Sequence, residues 1–224
     1  MRKVWQACIA VLGVIACFGV EGSADPASST KGQTPLADLL QIVVLKQEIV
    51  AIAAAGGGQR SQALELGERV LWHKSRGAVG VALTDQRVLA VAAHSAAWQA
   101  ARYRAGEQLP ARALLGERVA LVVTNKRVLG FDGGSANLVE TELGPRERVQ
   151  VKKIGANVAV AVTDRRALGL SAFRGGLFPV KLRLGEQLEA TEALANLATV
   201  RTSQRLLTFR APTGSWEERQ LGLP

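Results

Sequence analysis

The 224-residue sequence predicts an all-β fold made of five repeats, and three observations carry that expectation. A turn motif recurs every 39 or 40 residues: Thr84-Asp85-Gln86-Arg87, Thr124-Asn125-Lys126-Arg127, Thr163-Asp164-Arg165-Arg166 and Thr202-Ser203-Gln204-Arg205, with a worn copy at Leu45-Lys46-Gln47-Glu48. Within each unit the apolar pattern has a period of two, and Gly, Asn and Asp punctuate it at turn spacing. Hydrophobic residues make up 48% of the chain but aromatics only 4%, so the interior is built from Val, Leu, Ile and Ala suited to closely packed sheets. A repeat of this length with four short strands describes one blade of a propeller, and five of them span residues 35–224. The expectation is therefore a five-bladed β-propeller.

The chain opens with a targeting segment over residues 1–24. Arg2 and Lys3 precede an apolar run to Val20, and Gly22-Ser23-Ala24 supplies small residues for cleavage. Val14-Ile15-Ala16-Cys17 offers a second processing route, lipidation of Cys17. Either way the protein is expected to be exported, periplasmic or lipid-anchored in the cell envelope. Residues 25–34, rich in Ser, Ala, Gly and Pro, read as a flexible linker. Cys8 and Cys17 are the chain's two cysteines, so the domain after residue 24 has neither disulfide nor thiolate-bound metal.

The first unit, from Pro35, is shorter than the rest and lacks the Thr and Arg of the motif. The third unit predicts strands at 109–115, 119–123, 127–131 and 138–143, and the fourth predicts 149–154, 158–162, 167–170 and 178–184. Val119 to Val123 and Val158 to Val162 are apolar on both faces, as expected of strands buried between neighbouring sheets. The fifth unit ends in a strand that begins at Trp216. An open solenoid needs polar capping units, whereas a ring needs none, and this ordinary last strand favours closure of the ring. The turns carry neither the Trp-Asp ending and Gly-His start of WD40 repeats nor the paired glycines of kelch repeats.

The fixed Arg87, Arg127, Arg166 and Arg205 face linkers that carry Glu68, Glu107, Glu147 and Glu186 at matching positions. Arg–Glu pairing between turns is the structural expectation. A basic collar for an anionic ligand is the functional one, and the four arginines are candidate binding residues on that ground. Trp72 and Tyr103 have no aromatic counterparts in the other units, which makes them candidates for a unique contact. Trp98 and Trp216 share a repeat position and are read as rim covers.

No catalytic residue, cofactor or metal site is expected. His73 and His94 lack partners at ligand spacing, no Gly-x-Ser-x-Gly is present, and Asp38, Glu189 and Glu192 fall at unmatched positions for a glycoside hydrolase. Without residues 1–24 the chain keeps 26 Lys and Arg against 18 Asp and Glu, a net charge of +8. That balance suits an anionic lipid or glycan more than nucleic acid in an exported protein. The function expected is a non-catalytic binding or scaffold module for another envelope component, a protein first and a repeated-site glycan or lipid second.

Overall fold

The computed structural model describes residues 38–55 and 58–222. The export signal, the linker and the first residues of unit one lie outside them. The described residues form 19 strands in five antiparallel sheets that follow one another along the chain. The first sheet holds β1 (Leu40–Val44), β2 (Glu48–Ala53) and β3 (Gln59–Ala63). The second holds β4 (Val70–Arg76), β5 (Val79–Thr84), β6 (Arg87–Ala92) and β7 (Gln99–Arg102). The third contains β8 (Leu114–Leu115), β9 (Val119–Val123), β10 (Arg127–Asp132) and β11 (Asn137–Glu142). The fourth contains β12 (Val149–Ile154), β13 (Val158–Thr163), β14 (Arg166–Ser171) and β15 (Gly176–Lys181). The last is β16 (Leu188–Ala193), β17 (Leu197–Thr202), β18 (Arg205–Arg210) and β19 (Ser215–Gln220).

Each sheet is a meander whose strands pair in sequence order. The unit plan read from the sequence is therefore present, with two local differences. The first sheet has three strands among the described residues, because the position of a fourth, 39 residues before β4, falls at 31–37. The strand expected at 109–115 shrinks to Leu114–Leu115. Pro110 has no N–H to give a ladder, and the third unit carries one more residue than its neighbours.

Burial explains the doubly apolar strands. Every residue of β5, β6, β10 and β13 is buried, since each middle strand has a sheet against both faces. Four core clusters fill the four spaces between consecutive sheets. Between the fourth and fifth sheets, Val158, Val160 and Val162 meet Ala198, Leu207 and Phe209. Turn backbones also bond from sheet to sheet: Leu39 N–H to Gly77 O (2.8 Å), Ala78 to Glu117 (2.8 Å), Arg118 to Ala156 (2.9 Å) and Asn157 to Ala195 (2.7 Å).

The ring expected from the sequence does not close. Among the described residues no core cluster joins the fifth sheet to the first. The outer face of the fifth sheet explains why. Its middle strands alternate between buried and more open positions, and beside Leu197 and Leu206 the open side carries Thr199, Arg201, Thr208 and Arg210 where the fourth sheet has Val160, Val162, Gly169 and Ser171. This is the polar cap of an open array, located in the middle strands and not in the last strand where closure was inferred.

Gly77, Gly116 and Gly155 mark the same asymmetry. They occupy one repeat position at the turn after each first strand, and the backbone of the following sheet lies where a side chain would start. A Cβ would stand 2.6 Å from Glu117 O, 2.1 Å from Gly155 O and 1.6 Å from Leu194 O, respectively. The fifth sheet has Leu194 at this position, and its side chain is exposed. Among the described residues no sheet lies against it.

Candidate functional site

The repeated turn motif builds a clasp at one end of the strands, four times over. Its threonine acts locally: Thr84 Oγ1 accepts the N–H of Gln86 (3.1 Å) and Arg87 (2.9 Å) and donates to Arg87 O (3.0 Å), which closes the turn. Thr124, Thr163 and Thr202 repeat this geometry and also bond the linker glutamate, at 2.7, 2.8 and 2.6 Å.

Arginine then joins two sheets. Nε of Arg87, Arg127, Arg166 and Arg205 donates to Glu68, Glu107, Glu147 and Glu186 at 2.8–2.9 Å. Nη2 of each donates to a carbonyl at or near the end of the preceding sheet's last strand: Ala63 (2.8 Å), Arg102 (2.5 Å), Glu142 (2.5 Å) and Lys181 (2.6 Å). The other glutamate oxygen accepts the N–H that opens the linker turn, from Glu65, Arg104, Gly144 and Arg183 at 2.5–2.7 Å. The Arg–Glu pairing expected from the sequence is present in all four copies.

Burial alone would raise these carboxyl pKa values. The hydrogen bonds from arginine, turn N–H and threonine outweigh it and hold all four glutamates below the ordinary range, Glu186 at about 2. The guanidinium groups have internal partners throughout. The side chains of Arg127 and Arg205 are 4% exposed and that of Arg87 9%, while Arg166 keeps 23%. They bolt sheets together and do not stand out as an open collar.

Above the clasps rise four short turns. Gly67, Gly106, Arg146 and Gly185 take the left-handed conformation there, with φ between 63° and 78°. The residue before each is the tip, and two of the tips are Leu66 and Leu184, both fully exposed. Between the third and fourth sheets the same end holds a groove of about 630 Å³, walled by Leu109, Pro110, Val123, Leu143 and Val149 and edged by Arg146 and Arg148. Leucine tips and groove went unread in the sequence.

Trp72 and Tyr103 do not come together. Trp72 lies on β4 and Tyr103 just after β7, at opposite edges of the second sheet, and both pack in part against the core shared with the third. The Tyr103 hydroxyl is buried with no partner, and burial pushes the phenol well above its usual range. Trp98 and Trp216 each donate Nε1 to the preceding sheet's last strand, at Arg60 O and Phe178 O (both 2.8 Å), and so cover the rim between sheets. Asp38 precedes β1 and accepts Gly77 N–H (3.0 Å), whereas Glu189 and Glu192 are on β16, where Glu189 pairs with Arg201 (2.9 Å).

No family model and no curated protein matches the chain. Solved propeller structures do. Kluyveromyces lactis Hsv2p is similar at 10% identity and a TM-score of 0.36, over 83% of this chain and 61% of its own. Prp20p from Saccharomyces cerevisiae, described for its binding to Gsp1p and histones, is similar at 10% identity and a TM-score of 0.38, over 77% and 55%. The Neurospora crassa Pan2 WD40 domain gives 10% and 0.31, over 83% and 63%. The chain thus spans less than two thirds of the length of these structures. What it does has to be read from its own residues.

Proposed function

We propose that this protein is an exported, non-catalytic binding module whose clasp end holds a protein partner in the cell envelope. One observation carries the reading: Leu66 and Leu184, two large apolar side chains in open solvent, stand on turns locked by buried Arg–Glu clasps. Apolar side chains held at rigid tips suit anchors that enter a partner's pockets. The clasps supply stiffness, so little conformational freedom is lost on binding. The groove between the third and fourth sheets adds a concave surface at the same end of the strands.

Export rests on the basic and apolar start of the chain, with Cys17 as the lipidation site if the lipoprotein route is taken. The alternative occupant of the tips is an anionic lipid surface. Arg146, Arg148 and Arg165 on the same end favour that second reading.

The test is capture by the tagged protein from envelope extract, with a Leu66→Ser/Leu184→Ser variant run in parallel. A single protein recovered in stoichiometric amount by the parent, and lost by a variant of unchanged melting temperature, supports the reading. A partner retained by the variant removes the tips from the interface. Recovery only on anionic vesicles moves the assignment to the lipid reading.

A further inference from the structure

A second cavity, of about 520 Å³, opens at the opposite end of the strands from the clasps, among the turns of the first three sheets. Duplication supplies its frame. Leu39, Ala78 and Arg118 hold one repeat position in its wall, and Ala55, His94 and Gly134 hold another, with Arg60 entering from β3. Duplication does not supply its charge. The counterparts of Arg118 in the other units are Leu39, Ala78, Asn157 and Asn196, and those of His94 are Ala55, Gly134, Phe173 and Pro212. By strand register, Arg60 corresponds to Gln99, Val139, Phe178 and Glu217. Three departures from the repeat, all cationic or protonatable, therefore converge on one cavity.

The cations there lack counterions. Neither Arg60 nor Arg118 pairs with a carboxylate among the described residues. Among the described residues Arg60 Nη1 is closed off from solvent and has no hydrogen-bond partner, while the Arg60 carbonyl is pinned by Trp98 Nε1 at 2.8 Å. A guanidinium nitrogen held dry without an acceptor is costly, and an anion beside it would offset that cost. No acid lines the cavity. The nearby Asp132 is engaged by Gly134 N–H (2.7 Å) and by Ser135 N–H and Oγ (3.2 and 2.6 Å). His94 Nε2 is 3.1 Å from Gly134 O, which steadies the ring at the wall. Leu39, Ala55, Ala78 and Ala93 make up the apolar remainder.

We infer that this cavity binds a small organic phosphate monoester, with Arg60 and Arg118 on the phosphate and the alanine and leucine wall against the organic body. Its volume lies in the range of small-molecule sites, roughly 300–1,000 Å³, and is larger than a bare ion requires. Two guanidinium groups match a phosphate monoester, which carries about −1.5 to −2 charge near neutral pH, better than a single carboxylate. The site is independent of the clasp end.

Calorimetry on the full chain at constant ionic strength, with phenyl phosphate, inorganic phosphate and benzoate as probes, tests it. The expected result is one phenyl phosphate per chain, bound more tightly than the other two. Arg60→Met and Arg118→Met should each weaken it by about tenfold or more, the range of a charge-assisted hydrogen bond, while Arg219→Met, an exposed and unpaired arginine elsewhere, leaves it unchanged. Arg118 is exposed, so its variant remains informative if Arg60→Met does not fold. Vesicles containing phosphatidic acid, which carries the same ester, decide whether the group is presented by a lipid: Arg118-dependent vesicle binding says so, and binding of phenyl phosphate alone points to a soluble ligand. Absence of saturable phenyl phosphate binding, equal loss with Arg219→Met, or benzoate binding as tight as phenyl phosphate would overturn the proposal.

Discussion

Each clasp concentrates several polar interactions on one glutamate and one arginine, and the balance between burial and pairing sets its response to substitution. Removing one partner of a buried pair leaves the other charged and dry, which costs about 3–5 kcal/mol. Arg127→Leu and Arg205→Leu should therefore lose about that much in denaturant unfolding, and Arg166→Leu clearly less, because its side chain is 23% exposed against 4%. The sign of the pH response follows from depressed carboxyl pKa values. Their contribution is present above the ordinary value of 4.5 and is lost as pH falls toward the folded-state value, about 2 for Glu186. The protein should lose stability across that window, and Glu186→Gln should flatten the loss. The pairing was legible in the sequence because Arg and Glu recur with the period. The backward bond to the preceding sheet was not, since nothing in a residue's identity says which backbone carbonyl it will meet.

At the level of strands and turns, alternation and turn residues located seven of the eight strands of the third and fourth units to within three residues at either end. The strand at 109–115 failed because Pro110 removes a donor inside a run whose apolar pattern looks continuous. The glycine turns between sheets are more demanding than the sequence suggested, where Gly116 and Gly155 read as ordinary punctuation. Gly155→Ala puts a methyl group 1.6 Å from Leu194 O, which only a backbone shift relieves. A loss of about 3 kcal/mol is expected, at the upper end for overpacking, with Leu194→Gly as the near-neutral control read in the same thermal melt.

Across the described residues, five antiparallel sheets share four packed interfaces in the succession of propeller blades, without closing into a ring. The chain shows this in three places that repeat-counting passed over: Thr199, Arg201 and Thr208 on the last outer face, Leu194 in place of glycine, and Leu45 and Glu48 in place of the clasp threonine and arginine. The first unit is not worn at random. Among the described residues no sheet precedes it, so an arginine at 48 would have no linker glutamate to hold. The polar outer face of the fifth sheet is then a device against stacking. Thr199→Val/Arg201→Val/Thr208→Val should add a concentration-dependent increase in mass in light scattering, with the clasps intact. An unchanged mass would show that this face does not act as a cap. Composition and period revealed the sheets; whether they form a ring depended on a few residues at the two ends, where a periodic reading averages over the departures that matter.

The direction of the clasp has a temporal meaning. A chain appears with its N-terminus first, whether from a ribosome or through a membrane pore. Every arginine reaches to a linker and a carbonyl that have already emerged, and every core is completed by the sheet that arrives next. A unit can therefore lock as soon as its own second turn is out. Folding can keep pace with delivery, one bolt at a time.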